Sequence, residues 1–156
     1  MTTNKASVEQ QTSDLLLDQF IPFQLVLLSG YFGDELLKIY SAFDLTLAEW
    51  RVVACVASGK CDTAIEIANS CRLDEVAIHR AVTELVRRGF LRRAVDERDR
   101  RRKPLRLTDK GLNTHSKIVP KILAFEASVL EKLNADERAM LRNALNTLCE
   151  RLELAR

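Results

Sequence analysis

The feature that most restricts this chain is a pair of helix-start signals, Thr46-Leu-Ala-Glu49 and Thr63-Ala-Ile-Glu66. Each sets a hydroxyl and, three residues on, a carboxylate where they satisfy the orphan amides of a helix's first turn. Two short helices are therefore predicted, roughly over 47–58 and 64–70, with Gly59 between them. A third start follows. Cys71-Arg72-Leu73 reads as a turn, and Asp74 is placed to cap a helix from Glu75 to Arg88 that Gly89 ends. On that helix Ile78, Ala81, Val82 and Leu85 share one apolar stripe, leaving Glu75, Val76, His79, Arg80, Thr83 and Arg87 on the outer side. Two helices joined by so short a turn are a helix-turn-helix candidate.

The flanks are helical on both sides. Leu16, Phe20, Phe23, Leu27 and Tyr31 recur at steps of three and four, which predicts a first long helix from about Leu15 to Ser41, behind a flexible polar tail at residues 1–14. Beyond Gly89, Phe90–Val95 and Pro104–Leu107 read as short strands, with Leu105 and Leu107 on one face. Pro104 withdraws an amide from that hairpin, which leaves its pairing open. Thr108 then caps a long helix carrying Ile118, Ile122, Phe125 and Val129, in which Pro120 is expected to make a kink. Asn134 and Glu137 open the last helix, where Leu141, Leu145, Leu148 and Leu152 form a narrow seam suited to another helix. With only five Gly and three Pro in 156 residues, a mainly α fold with a single core is expected.

Charge locates the function. The net charge of +2 conceals +7 between residues 87 and 106, against −5 over the remainder. Within that stretch all eight residues from Asp96 to Lys103 are charged, so the loop cannot enter a core and must face solvent or a charged partner. A helix-turn-helix followed by a basic hairpin is a winged helix, and duplex DNA is the polyanion it fits. His79, Arg80 and Thr83 are the residues expected nearest the base edges. Other classes find little support. His79 has no Ser, Cys or paired carboxylate at a suggestive spacing, so the chain is read as no enzyme. Cys55, Cys61, Cys71 and Cys149 lack metal-site spacing, and neither a cofactor nor a metal is expected. No apolar run reaches the roughly 18 residues of a bilayer span, and the expected location is the cytoplasm.

The same residues carry a resemblance. From Leu47 to Gly111 the chain resembles the MarR family of winged-helix transcriptional regulators. The most specific part is Asp96-x-Arg98-Asp99-x-Arg101, followed by Leu105-x-Leu107-Thr108 and Gly111, and Leu85-x-x-x-Gly-Phe-Leu91 supports it. The Arg100-Arg101-Arg102-Lys103 run with Pro104 departs from the commonest members. The resemblance implies a homodimer held by interlocked first and last helices, here residues 15–45 and 108–156 around a DNA-binding region at 46–107. Leu16, Phe20, Leu141, Leu145, Leu148 and Leu152 would line that interface. It implies that Arg98 enters a minor groove while Asp99 and Arg101 hold the wing in shape. The expected DNA-contacting set is thus Glu75, His79, Arg80, Thr83, Arg87, Arg98, Arg100, Arg101, Arg102 and Lys103.

The family also places a ligand cavity near Trp50 and Arg51, an aromatic wall beside a cation that would suit a small aromatic carboxylate, with Phe23, Tyr31 and His115 as further candidates. The expectation is a ligand-responsive repressor on a pseudo-palindromic operator. Two alternatives stand beside it. One is a winged-helix protein-interaction module. The other is a thiol-based redox-responsive regulator, for which some relatives use a cysteine in the first helix. No cysteine precedes Cys55 here, which leaves Cys61 and Cys71 in question, Cys71 standing beside Arg72.

Overall fold

Both capping boxes form. Thr46 and Thr63 accept from the amides of Glu49 and Glu66 at 3.3 Å, and those two carboxylates accept in return from the threonine amides. A computed structural model describes residues 15–95 and 102–154. Its elements run α1 (Ile21–Ser41), α2 (Leu47–Ser58), α3 (Ala64–Cys71), α4 (Glu75–Arg87), β1 (Leu91–Arg93), β2 (Leu105–Leu107), α5 (Asp109–Val129) and α6 (Ala135–Arg151). The chain divides into two compact units, the first ending at Glu35 and the second beginning at Leu36. The fold is mainly α, with a single antiparallel hairpin among the described residues.

The first helix is shorter than expected, beginning at Ile21 and leaving Leu16 and Phe20 before it. Pro22 is the cause. It has no amide to offer the Asp18 carbonyl, and its ring would strike that carbonyl in a longer helix. The Gln24 side-chain amide donates to Asp18 instead, at 2.5 Å. Cys71, expected in the turn, is the last residue of α3, and the chain reverses at Arg72 in the left-handed region with φ 50°. Asp74 then caps α4 by accepting from the Ala77 amide at 2.8 Å. The long α5 continues unbroken through Pro120, an exposed residue.

The core of the second unit lies where α2, α3 and α4 meet. Ile78, Ala81, Val82 and Leu85 are buried against a cluster that includes Val52, Val53, Ile67 and Ala68. Burying each large aliphatic side chain is worth about 1.5–3 kcal/mol, so this stripe fixes which face of α4 points outward. Phe90, Leu91, Leu105 and Ile118 extend the cluster to the hairpin and α5.

In the hairpin, Leu91 pairs with Leu107, Arg92 with Arg106 and Arg93 with Leu105. Pro104 lies just outside the ladder, where its carbonyl accepts from the Ala94 amide at 2.7 Å and no donor is needed. On the other edge of β2, the Leu105 amide donates to the Asp62 carbonyl at 2.6 Å, tying the hairpin to the α2–α3 loop.

Glycine is required at 111. A Cβ there would collide with the Phe90 carbonyl oxygen and lie 2.8 Å from Leu107 Cδ2. Phe90 is also held by Thr108, whose amide donates to its carbonyl at 3.0 Å, so this backbone cannot easily yield. Gly111→Ala is accordingly expected to destabilise the fold by about 1–3 kcal/mol in denaturant unfolding. Unchanged stability would show that the α5–hairpin junction is not close-packed.

Candidate nucleic-acid interface

The outer side of α4 is the surface that the buried stripe leaves over. Glu75, Val76, His79, Arg80, Thr83 and Arg87 are all exposed. The Thr83 hydroxyl donates back to the His79 carbonyl at 2.9 Å, and His79 Nε2 lies 3.5 Å from a Glu75 carboxylate oxygen. Arg87 is committed to its own helix. Its guanidinium donates twice to Glu84, at 2.8 Å and 2.5 Å, and this pairing holds the Glu84 carboxyl below its ordinary range. Arg80 is exposed on the same face as the Glu75–His79 pair, one residue beyond His79.

The base of the wing is organised by carboxylates that the sequence reading missed. Asp62 accepts from Arg102 at 2.8 Å on one oxygen and from Arg106 at 2.7 Å on the other. Glu66 adds a 3.3 Å contact to Arg102. Arg102, expected at the DNA, is therefore also part of the anchor that holds the hairpin to the α2–α3 loop. Lys103 is exposed beside it. Together with Thr63, His79, Arg93 and Arg102, it lines a groove of about 500 Å³ between α3, α4 and the hairpin. Arg98, Asp99, Arg100 and Arg101 lie outside the described residues.

A second missed pair locks the end of α4. Glu49 is buried at 4% exposure, with one carboxylate oxygen accepting from the Thr46 amide at 2.7 Å and the other from Arg88 at 3.2 Å. Each oxygen is thus satisfied, as a buried carboxylate requires. Arg88 also lies over the Phe90 ring at 4.9 Å, and Lys110 over the same ring at 4.4 Å. The capping-box motif revealed one of Glu49's roles. Nothing in the spacing of residues 49 and 88 revealed the other.

Of the expected ligand-cavity residues, Trp50 and His115 come together, their rings stacked at 5.8 Å, with Tyr40 on the indole at 6.4 Å. Burial pushes the Tyr40 hydroxyl up, while the Arg51 charge pulls it partly back. Arg51 itself is exposed. Phe23 and Tyr31 belong to the first unit, where Tyr31 packs near the Phe32 ring at 6.0 Å. Leu16, Phe20, Leu141, Leu145, Leu148 and Leu152 are all exposed, and α6 has no buried residue. Among the described residues no group of three His, Cys, Asp or Glu could hold a metal ion. No described helix is long and apolar enough to cross a membrane.

A helix-turn-helix with an outward polar face and a basic hairpin defines a winged-helix DNA-binding module. The comparisons with known proteins agree. Residues 43–102 match the MarR family. An uncharacterised HTH-type transcriptional regulator of Bacillus cereus is 30% identical over 114 residues, covering 72% of this chain and 74% of the relative. The chain belongs to the MarR family of DNA-binding transcriptional regulators. Two solved structures share its fold. An S. aureus MepR–DNA complex superposes with a TM-score of 0.75 at 17% identity, covering 86% of this chain and 98% of that one. CouR from Rhodococcus jostii RHA1, bound to p-coumaroyl-CoA, gives 0.76 at 21% identity, covering 86% and 94%.

Glu66 makes the wing anchor sensitive to acid. The Asp62 amide, the Thr63 contacts and the Arg102 charge hold its carboxyl below the ordinary value of 4.5, against the effect of burial. A lowered carboxyl contributes stability that is present above its unfolded value and lost as pH falls through the folded one. The stability difference between the wild type and Glu66→Gln should therefore be largest near neutrality and shrink between about pH 6 and pH 3. A difference independent of pH, in urea melts across that range, would contradict this role.

Proposed function

We propose that the chain is a ligand-responsive repressor that binds a pseudo-palindromic operator as a homodimer through the outer face of α4. The observation that carries this reading is the one-sided burial of α4, which leaves Glu75, His79, Arg80 and Thr83 exposed together on one helix. Thirteen residues at 1.5 Å each make α4 about 20 Å long, enough to lay its first two turns in a major groove. Arg80 is assigned to a guanine edge or a flanking phosphate, Glu75 to a cytosine amino group, and His79 and Thr83 to neighbouring edges. Lys103 and the expected wing residues Arg98, Arg100 and Arg101 supply phosphate and minor-groove contacts. Arg87 and Arg102, paired with Glu84 and with Asp62 and Glu66, shape the surface as much as they contact DNA.

The exposed leucines of α6, together with Leu16 and Phe20 ahead of α1, are assigned to a second copy. A seam of four leucines at 41–62% exposure is more apolar surface than one helix leaves to water without a partner. The half-sites would then lie about one helical turn apart.

The effector is assigned to the Trp50–His115 stack with Arg51 nearby, a flat apolar wall beside a cation, which fits a small aromatic carboxylate. CouR's p-coumaroyl-CoA is a precedent for an aromatic acyl ligand on this fold. Release requires the ligand to bind one spacing of the two α4 helices more tightly than the other.

Binding to random-sequence duplex, measured by fluorescence anisotropy over a salt series, separates this reading from a protein-interaction module, which would show no steep salt dependence. Arg80→Ala is expected to lower operator affinity roughly tenfold to a hundredfold with the fold intact. Leu145→Asp should lose operator binding together with the dimer, as seen by sedimentation. Operator affinity unmoved by Arg80→Ala would overturn the assignment of α4.

A further inference from the structure

One carboxylate in the α2–α3 loop holds two cations of the hairpin at once. Asp62 accepts from Arg102 Nη2 on one oxygen at 2.8 Å and from Arg106 Nη1 on the other at 2.7 Å. Its main chain is fastened on both sides, since its amide donates to Glu66 at 3.1 Å and its carbonyl accepts from the Leu105 amide at 2.6 Å. The Asp62 side chain is 18% exposed and that of Arg106 49%, so a shielded anion restrains a cation that is open to solvent. Arg106 also stands opposite Arg92 in the ladder, a like-charged pair that Asp62 offsets. Glu66 takes part of Arg102 as well, at 3.3 Å, so Arg106 is the cation that depends more on Asp62. The clasp lies beside the reading face, because Arg102 and Glu66 line the same groove as His79, Arg93 and Lys103.

We propose that Asp62 determines sequence specificity through Arg106: it withholds that guanidinium from phosphates and fixes the hairpin, so that the chain tells its operator from other DNA. The proposal rests on the assignment of α4 and the hairpin to DNA. A cation that meets phosphate adds affinity for any sequence, because it releases counterions whatever the bases are. Residues 87–106 hold ten Lys or Arg against three Asp or Glu, so this segment has attraction to spare and gains most from restraint. Asp62, outside that segment, supplies the restraint.

Withheld charge alone would weaken operator and random duplex equally and leave their ratio unchanged. The fixed hairpin is what separates them. Its ladder is only three residue pairs long, and the clasp sets its position against the α2–α3 loop, so that hairpin and α4 address a duplex in one preset register. An operator rewards that register with base contacts. Random duplex does not. Without the Asp62 charge, the released guanidinium finds a phosphate in any register, while the operator complex must first order a loosened hairpin. Random binding then gains and operator binding does not keep pace.

The test uses the full chain with Asp62→Asn, which keeps the side chain's shape and removes its charge. Anisotropy over a salt series is read with a random-sequence duplex and with an operator duplex that the wild type selects from a random library. Random-duplex affinity is expected to rise about threefold to tenfold at low salt, its log–log salt slope to steepen by about 1, and the operator-to-random ratio to fall about tenfold. Adding Arg106→Gln should return the slope to that of the wild type, whereas adding Lys117→Gln, which removes the same charge from the exposed side of α5, should not. An unchanged slope in Asp62→Asn, both affinities lowered together, or restoration by Lys117→Gln would overturn the role of Asp62. Should Asp62→Asn fail to fold, Arg106→Gln alone decides: an unmoved random-duplex slope supports a withheld cation, and a slope shallower by about 1 contradicts it. A wild type that binds neither duplex overturns the DNA assignment and this proposal together, while a wild type that binds both, with Asp62→Asn indistinguishable from it, overturns this proposal alone.

Discussion

The burial of one face of α4 is the constraint on which the rest of the structure depends. Ile78 and Leu85 are fully enclosed and Ala81 and Val82 nearly so, and the partners that enclose them come from α2 and α3. A helix pinned along one stripe has its rotation about its own axis fixed. Everything polar on it is then presented in one direction, without any contact dedicated to that purpose. The two capping boxes serve this arrangement indirectly, because they set where α2 and α3 begin and so where Val52, Val53 and Ile67 stand when α4 docks. The Glu49–Arg88 pair closes the far end. A buried carboxylate left without its arginine would cost several kcal/mol, which makes this pair a strong specifier of register and a weak source of net stability.

Electrostatics then gives the cations around α4 and the hairpin different tasks. Arg102 and Arg106 are drawn back onto Asp62 and Glu66, and Arg88 and Lys110 are stacked on Phe90. These cations hold the hairpin against the helices. Arg80 and Lys103 are exposed, and they are the cations assigned above to the DNA. The exposed pairs are individually weak, but a network sharing one carboxylate orients a hairpin whose ladder is only three residue pairs long.

Much of this was legible in the sequence because it was written in local chemistry. The start of α2, the stripe of α4, the cap at Asp74 and the start of α6 at Asn134 follow from residues within a turn or two of one another, and each is as read. The first helix was overextended because its apolar periodicity continues through Leu16 and Phe20, while the stop lay in one residue, Pro22, whose missing amide outweighs the pattern. The contacts that could not be read are those spanning long stretches of chain. Asp62 meets Arg102 and Arg106 forty and forty-four residues away, and Cys55 meets Cys71 only because α3 folds back on α2. No spacing rule encodes such meetings, since they depend on how three helices pack.

The outer face of α4 is assigned here as the DNA-reading surface. Amide resonances followed by NMR during titration with an operator duplex test it most directly. The largest shifts are expected at Glu75, Val76, His79, Arg80 and Thr83, with smaller ones at Lys103 and at the hairpin, and with little change in the middle of α5. Shifts confined to α5 and α6, with α4 unmoved at saturation, would contradict it.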